Sequence, residues 1–486
     1  MAFENFDYET ITKVAIKSTV FFGIGAVIVL AASGGEFEQS DFKWLVIGGA
    51  GLLISLLLYF IRFFLDQGWI ARLIISGILA GVISFSYLGF QDYSTEADTK
   101  EAEYLGLEWM VDPRSKIQNP FRYRDMSVKD IEVSTDGNVF FAATLRVGYG
   151  DDYRMILGKI SQEGKILWKK RLKALESNLP SDVFFDGLNA VEALPDGGAL
   201  VAGENGFFAR VDKDGKTIWR KKHGISQFTD INDIMLIEDG KVFIAGTGGG
   251  DGCYRCDKSY IALLTSDGNV VWEKQMDADG ENYFASLIKS SDGSILAIGS
   301  VDHPDKGSQG RVVKISFSGE NLTELTFDKL DYRATIASFA SARGTTLIAT
   351  TIRSNKRGSK SDMALYTLND DITKFKLQRY FGPIAGSNEI YAVNQMENGD
   401  VVIAGSSAQK IEGDRAGTAI IFNTNTERSD SWSNKITSKR GSRVNDIVIL
   451  SDGSQVFSLS SFDTRIARRQ PFTDSSPAEI ISEADR

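Results

Sequence analysis

An Asp-Gly turn that returns about every fifty residues constrains this chain more than any other feature. It stands at Asp136-Gly137, Asp196-Gly197, Asp239-Gly240, Asp292-Gly293 and Asp452-Gly453, with Arg343-Gly344 and Asn398-Gly399 in the same phase. Each turn follows a short apolar run, such as 231–237, and precedes a second. That second run often ends Ala-Gly or nearly so, as at Ala202-Gly203, Ala245-Gly246, Ile298-Gly299 and Ala404-Gly405. A second turn lies downstream in most copies, at Glu163-Gly164, Asp214-Gly215, Asp267-Gly268, Ser318-Gly319 and Asp370-Asp371. In three copies a tryptophan follows that turn, at Trp168, Trp219 and Trp272.

Short β-favouring runs joined by Asp-Gly turns describe meanders of four antiparallel strands. One such unit cannot bury its own faces, so the array predicts an all-β, seven-bladed β-propeller over 105–469. Trp168, Trp219 and Trp272 are then expected to cover the gap to a neighbouring blade. The seventh unit lacks the Gly-x-x-x-Trp hairpin, and Gly106-Leu107-Glu108-Trp109 stands alone ahead of the first. This N-terminal strand, with Trp109, is predicted to complete the last blade and remove the edges an open array would leave. The polar tail, 470–486, is expected to be disordered.

The first ninety residues follow another rule. Three apolar runs, 19–33, 44–64 and 69–90, stand close together. A span needs roughly 20 apolar residues, so 1–92 is predicted to hold three transmembrane α-helices. Residues 93–104 form an acidic juxtamembrane linker. Lys13, Lys17, Arg62 and Arg72 flank the runs on one side, and acidic residues dominate the other. That bias predicts a cytoplasmic N-terminus and an extracytoplasmic, periplasmic propeller on a bacterial inner membrane. Gly48, Gly51, Gly77 and Gly81 are candidates for close helix packing, the last two in small-x-x-x-small spacing. They serve either packing among the three helices or docking to a partner membrane protein.

Charge and residue supply exclude several chemistries. A net charge of -10 argues against nucleic acid, whose phosphates need clustered cations. Two histidines, His223 and His303, and two cysteines leave little for a catalytic triad or a Cys/His zinc site. Cys253 and Cys256 lie in a Gly-rich insertion of the third unit, where an oxidising compartment favours a local disulfide. The Asp-Gly turns lack the alternating ligands of a calcium loop. Arg353 to Lys360 make a basic loop in the fifth unit, read as a solvated hairpin loop ahead of a contact for lipid headgroups or an acidic partner. No catalytic, cofactor-binding or metal residue is assigned, and no cofactor is expected.

The units around 229–276 and 281–318 resemble bacterial β-propeller repeats with quinoprotein-like blades. The hairpin Val211-Asp212-Lys213-Asp214-Gly215-Lys216-Thr217-Ile218-Trp219 carries the resemblance best. It implies the fold over most of 105–463 and leaves function open, since propellers host enzymes, scaffolds and binders alike. A quinone-dependent dehydrogenase would be expected to show more blades, adjacent cysteines and calcium-binding carboxylates; this sequence has no vicinal cysteine pair and is too short for eight such blades beside extra domains. The reading that remains is a non-enzymatic scaffold or accessory subunit. Its helices would engage integral membrane partners and the lipid bilayer, and its propeller face a protein partner. The alternatives are an extracytoplasmic sensor for a small ligand or glycan and, behind it, the quinone-cofactor enzyme.

Overall fold

The computed structural model describes residues 107–114, 123–147, 152–173, 187–224, 229–250, 253–278, 280–290, 292–303, 307–329, 336–340, 346–353, 361–369, 372, 374–381, 388–397, 399–408, 417–423, 429–432, 443–460 and 464–470. The predicted membrane spans with Gly48, Gly51, Gly77 and Gly81, the linker and the tail beyond Gln470 lie outside the described residues.

The described residues form an all-β propeller. Their strands gather in seven four-stranded antiparallel sheets, and six of these take their strands in simple sequence order. The inner, first strands of these six are Tyr123–Val133, Leu188–Ala193, Asp230–Leu236, Glu281–Lys289, Ile336–Ala340 and Asn388–Gln395. Their outer strands are Ile166–Arg171, Thr217–Lys222, Val270–Met276, Asn321–Lys329, Phe375–Phe381 and Ser429–Trp432. The last sheet runs from Arg443–Ile449 through Gln455–Ser460 and Arg465–Arg469, and its outer strand is Trp109–Val111 from the other end of the chain. Trp109 stands opposite Arg468 and Val111 opposite Ile466. Blades are numbered in this order, so blade 7 joins the two ends of the propeller.

Each inner strand neighbours the inner strand of the next blade, and that of blade 7 returns to blade 1. The core is divided accordingly. One apolar cluster fills each blade interface: Phe140 and Leu157 with Val191 and Val201 between blades 1 and 2, for example. Val448, Val456 and Ile466 meet Val128, Ile131 and Phe141 across the closing interface. Closure therefore carries a hydrophobic seam like the others, with no exposed flank left to fray.

The Asp-Gly positions are tight hairpin turns. At the first, Gly137 donates its N–H to Ser134 O and Ser134 donates to Asn138 O, both at 2.8 Å. Gly137 has φ 77°, which a side chain would resist.

The Ala-Gly endings have a separate cause. In blades 2, 3, 4 and 6 that glycine stands opposite the residue just before a β-bulge in the inner strand. A Cβ on Gly246 would strike the carbonyl oxygen of Asp230. The glycine lets the two backbones close over the bulge, and the bulge re-aims the next side chains toward the neighbouring blade.

Candidate functional site

The bulges build the most unusual chemistry in the molecule. In blades 1, 3 and 7 the sequence at this point reads Val128-Lys129-Asp130-Ile131, Ile231-Asn232-Asp233-Ile234 and Val444-Asn445-Asp446-Ile447. The register shift falls at the second residue of each. An inner strand has one edge with no ladder partner, so its N–H and C=O groups need other partners. The preceding blade supplies them. Asp130 accepts from Val191 N in blade 2 at 2.6 Å. Asp233 accepts from Leu287 N in blade 4 at 2.6 Å. Asp446 accepts from Ile131 N in blade 1 at 2.9 Å. The bulge amides act in the same direction: Asn189 Nδ2 donates to Ile231 O, Asn232 Nδ2 to Phe284 O and Asn445 Nδ2 to Val128 O. Blades 1, 2 and 3 thus each clasp the next, and Asn445 and Asp446 clasp blade 1 from blade 7.

The same bonds gather carboxylates at the axis. Glu132 and Glu192 lie two residues beyond the post-bulge position, on the same strand face. All five acids are only partly exposed, so their solvation is poorer than in bulk water. Burial accordingly drives every one of their pKa values upward. Glu132 is pushed up to about 8 by burial and then by the charge of Asp446. Glu192 is pushed up to about 8 by burial and then by Glu132 and Asp233. Asp233 rises to about 7 from burial, against the pull of its two backbone N–H donors. Asp130 and Asp446 are both raised, first by burial, and share a hydrogen bond across the closing interface. Two carboxyls so joined oppose each other's ionisation and titrate as a pair.

The arrangement can store protons and attract cations. No group of three or more His, Cys, Asp or Glu among the described residues could hold a metal ion. The regular spacing of these acids ahead of the Asp-Gly turn was a readable signal, but as strand residues they looked like ordinary polar positions.

The tryptophans named from sequence sit at the rim. Trp109, Trp168, Trp219 and Trp272 lie against Gly164, Gly215, Gly268 and Gly319 in the outer hairpin of the next blade, where a Cβ would meet the indole. Trp109 Nε1 donates to Gln162 O at 2.8 Å, Trp168 Nε1 to Lys213 O at 3.0 Å and Trp272 Nε1 to Phe317 O at 2.9 Å. Trp219 differs: its Nε1 is buried without a partner, and its ring packs 5.4 Å from Phe208.

Cys253 faces Gly250 at a hairpin tip, and the ladder resumes only at Asp257 opposite Gly249. The two thiols lie outside the described residues. So do residues 354–360 of the basic loop. His223 is buried 5.5 Å from Phe208, and burial lowers its pKa. His303 ends the second strand of blade 4.

A family model described as outer membrane protein assembly factor BamB matches residues 155–470. No curated protein matches the chain. A solved structure, that of a glucose dehydrogenase, aligns over 58% of this chain and 95% of its own, with 9% identity and a TM-score of 0.37.

Proposed function

Because the chain belongs to the family of outer membrane protein assembly factor BamB, a family of PQQ-like β-propeller repeats, we propose that it is a non-enzymatic scaffold or accessory subunit of a membrane protein complex. In this reading the seven sheets are the blades of a seven-bladed propeller held outside the cytoplasm by the N-terminal helices. Integral membrane proteins engage the helices, and a protein partner engages the propeller. One observation carries the reading: every blade interface has its own apolar seam, and the seam that closes the propeller is clasped by Asn445 and Asp446. A propeller locked in this way presents its surface with little ordering cost on binding, which suits a platform.

Cross-linking in membranes, purification in mild detergent and mass spectrometry test it. The expected result is a defined set of membrane partners that survives purification. A chain that cross-links only to itself overturns the proposal. The axial carboxylates favour one second reading, capture of a small cationic ligand at the axis. Thermal stabilisation by such a ligand, lost in Glu132→Gln, would distinguish it.

A further inference from the structure

The outer strands of blades 1 to 4 repeat a second bulge. In each, the residue before the tryptophan position has no partner in the ladder: Leu167, Ile218, Val271 and Leu322. The bulge pushes these aliphatic side chains into solvent, with exposures of 45%, 53%, 50% and 50%. Beyond the bulge the blades differ in charge. Blades 1 and 2 continue Lys169-Lys170-Arg171 and Arg220-Lys221-Lys222, whereas blade 3 continues Glu273-Lys274-Gln275 and blade 4 has Glu324.

Alternation assigns these residues to grooves between neighbouring outer strands. Trp168 turns toward blade 2, since it donates to Lys213 O, and Lys170 shares its face. Arg220 turns toward blade 1, since its guanidinium donates to Lys173 O at 3.1 Å, and Lys222 shares its face. The groove between blades 1 and 2 therefore combines the indole of Trp168, the bulged Ile218 and three cations, Lys170, Arg220 and Lys222. Lys170 and Lys222 are exposed and make no ion pair among the described residues. The next two grooves are mixed in sign and their lysines are engaged. Lys221 donates to Asp267 O and Asn269, facing Glu273, and Lys274 donates to Gly319 O, facing Glu324.

Cations on an edge strand also discourage unwanted strand pairing. Glutamates serve that purpose equally in blades 3 and 4, so edge protection does not explain why, in a chain of net charge -10, the charged strand residues turned into one groove are all cations. We propose that the groove between the outer strands of blades 1 and 2 docks an acidic, extended peptide segment of a partner protein. Its carboxylates meet Lys170, Arg220 and Lys222, and one apolar side chain lies against Ile218 and Trp168. One aliphatic side chain with one indole gives too little apolar surface for insertion into a bilayer, which favours a peptide over a lipid surface. The bulge breaks the ladder at Ile218, so side chains rather than a continued sheet set the register.

This proposal rests on the reading of the propeller as a protein-binding platform. The probe is a fluorescein-labelled twelve-residue peptide of glutamate and glycine with one central leucine, titrated against the full chain in mild detergent. The double variant Lys170→Glu/Lys222→Glu is expected to lose affinity by about tenfold or more, as for opposed charge at an interface. Lys274→Glu, in the groove between blades 3 and 4, is expected to leave it within about twofold. Both changes are on exposed strand positions, and an unchanged melting curve verifies the fold. Equal affinity in the double variant, or an equal loss in Lys274→Glu, overturns the proposal. So does flotation with phosphatidylglycerol vesicles that falls in the double variant while the peptide fails to compete. An unchanged set of cross-linked partners in the double variant removes this groove as their dock and leaves the platform reading standing.

Discussion

Two sets of aspartates stand six residues apart in sequence and behave in opposite ways. Asp130 and Asp446 lie at the axis, and Asp136 and Asp452 lie in the turns that follow. Each turn aspartate accepts the N–H two residues on, at 3.1 Å for Asp136 and 2.9 Å for Asp452. Each also meets a cation from the third strand of its blade. Lys159 reaches Asp136 at 2.8 Å, Arg210 reaches Asp196 at 2.7 Å, Lys314 reaches Asp292 at 2.6 Å and Arg468 reaches Asp452. Hydrogen bonds from these cations or from the turn itself hold all four carboxyls below the usual carboxylate range, against the opposing effect of desolvation. The axial acids accept backbone N–H bonds too, but their charged neighbours are other acids. The difference teaches that one residue type, repeated six residues on, takes its chemistry from what the adjacent blade or strand supplies.

The largest expected effect comes from destroying the geometry that separates the two sets. Gly246→Ala forces a methyl into the carbonyl of Asp230 and should cost about 3 kcal/mol, the upper part of the range for overpacking. Urea unfolding measures it. A cost below about 1 kcal/mol would mean that the bulge is not fixed by this contact.

Next in size is the pH dependence. A carboxyl whose folded pKa is raised contributes stability in full below its unfolded value, near 4, and loses it as pH rises through the folded value. Glu132 and Glu192 stand at about 8 and Asp233 at about 7, so stability should fall from about pH 4 to about pH 8. Glu132→Gln/Glu192→Gln should flatten that slope and gain about 1–2 kcal/mol at pH 8. Thermal melts across the window check this, and a slope equal to that of the wild type would refute the axial assignment. The turn aspartates predict no such slope above about pH 4, and Asp196→Ala should cost about 1 kcal/mol at pH 5 and pH 8 alike.

The fold was largely legible because turns and packing devices are local. Asp-Gly fixed the hairpins, the Gly-x-x-x-Trp spacing placed Trp168 and Trp272 on the next blade, and the orphan Trp109 found blade 7. The Ala-Gly endings were read as strand ends. Their reason, a close approach at a bulge, needs the partner strand in view. The axial acids were missed on the same ground. Asp233 and Glu192 lie in different repeats, and only closure of the propeller brings like charges from four blades together. The outer groove was hidden in the same way, since Lys170 and Lys222 sit 52 residues apart in sequence.

The smallest expected effect is also the sharpest, because it is a difference of sign within one strand-turn unit. Asp446→Asn keeps an oxygen that can accept from Ile131 N and removes a charge that opposes Asp130 and Glu132. At pH 8 it should stabilise the chain by about 0.5–1 kcal/mol, and the gain should shrink toward pH 4.5, because burial raises both acids of the pair and falling pH protonates them. Asp452→Asn keeps the turn acceptor for Ser454 N but loses the charge that Arg468 faces. Asp452 is ionised throughout this range, so the cost, again about 0.5–1 kcal/mol, should be the same at both pH values. Paired denaturation curves at pH 4.5 and pH 8 decide it. If both variants destabilise at pH 8, the N–H bond to Ile131 outweighs the crowding of charge, and the axis is a structural clasp that happens to be acidic. If the signs differ, charge crowding loosens the clasp between blades 7 and 1 as pH rises.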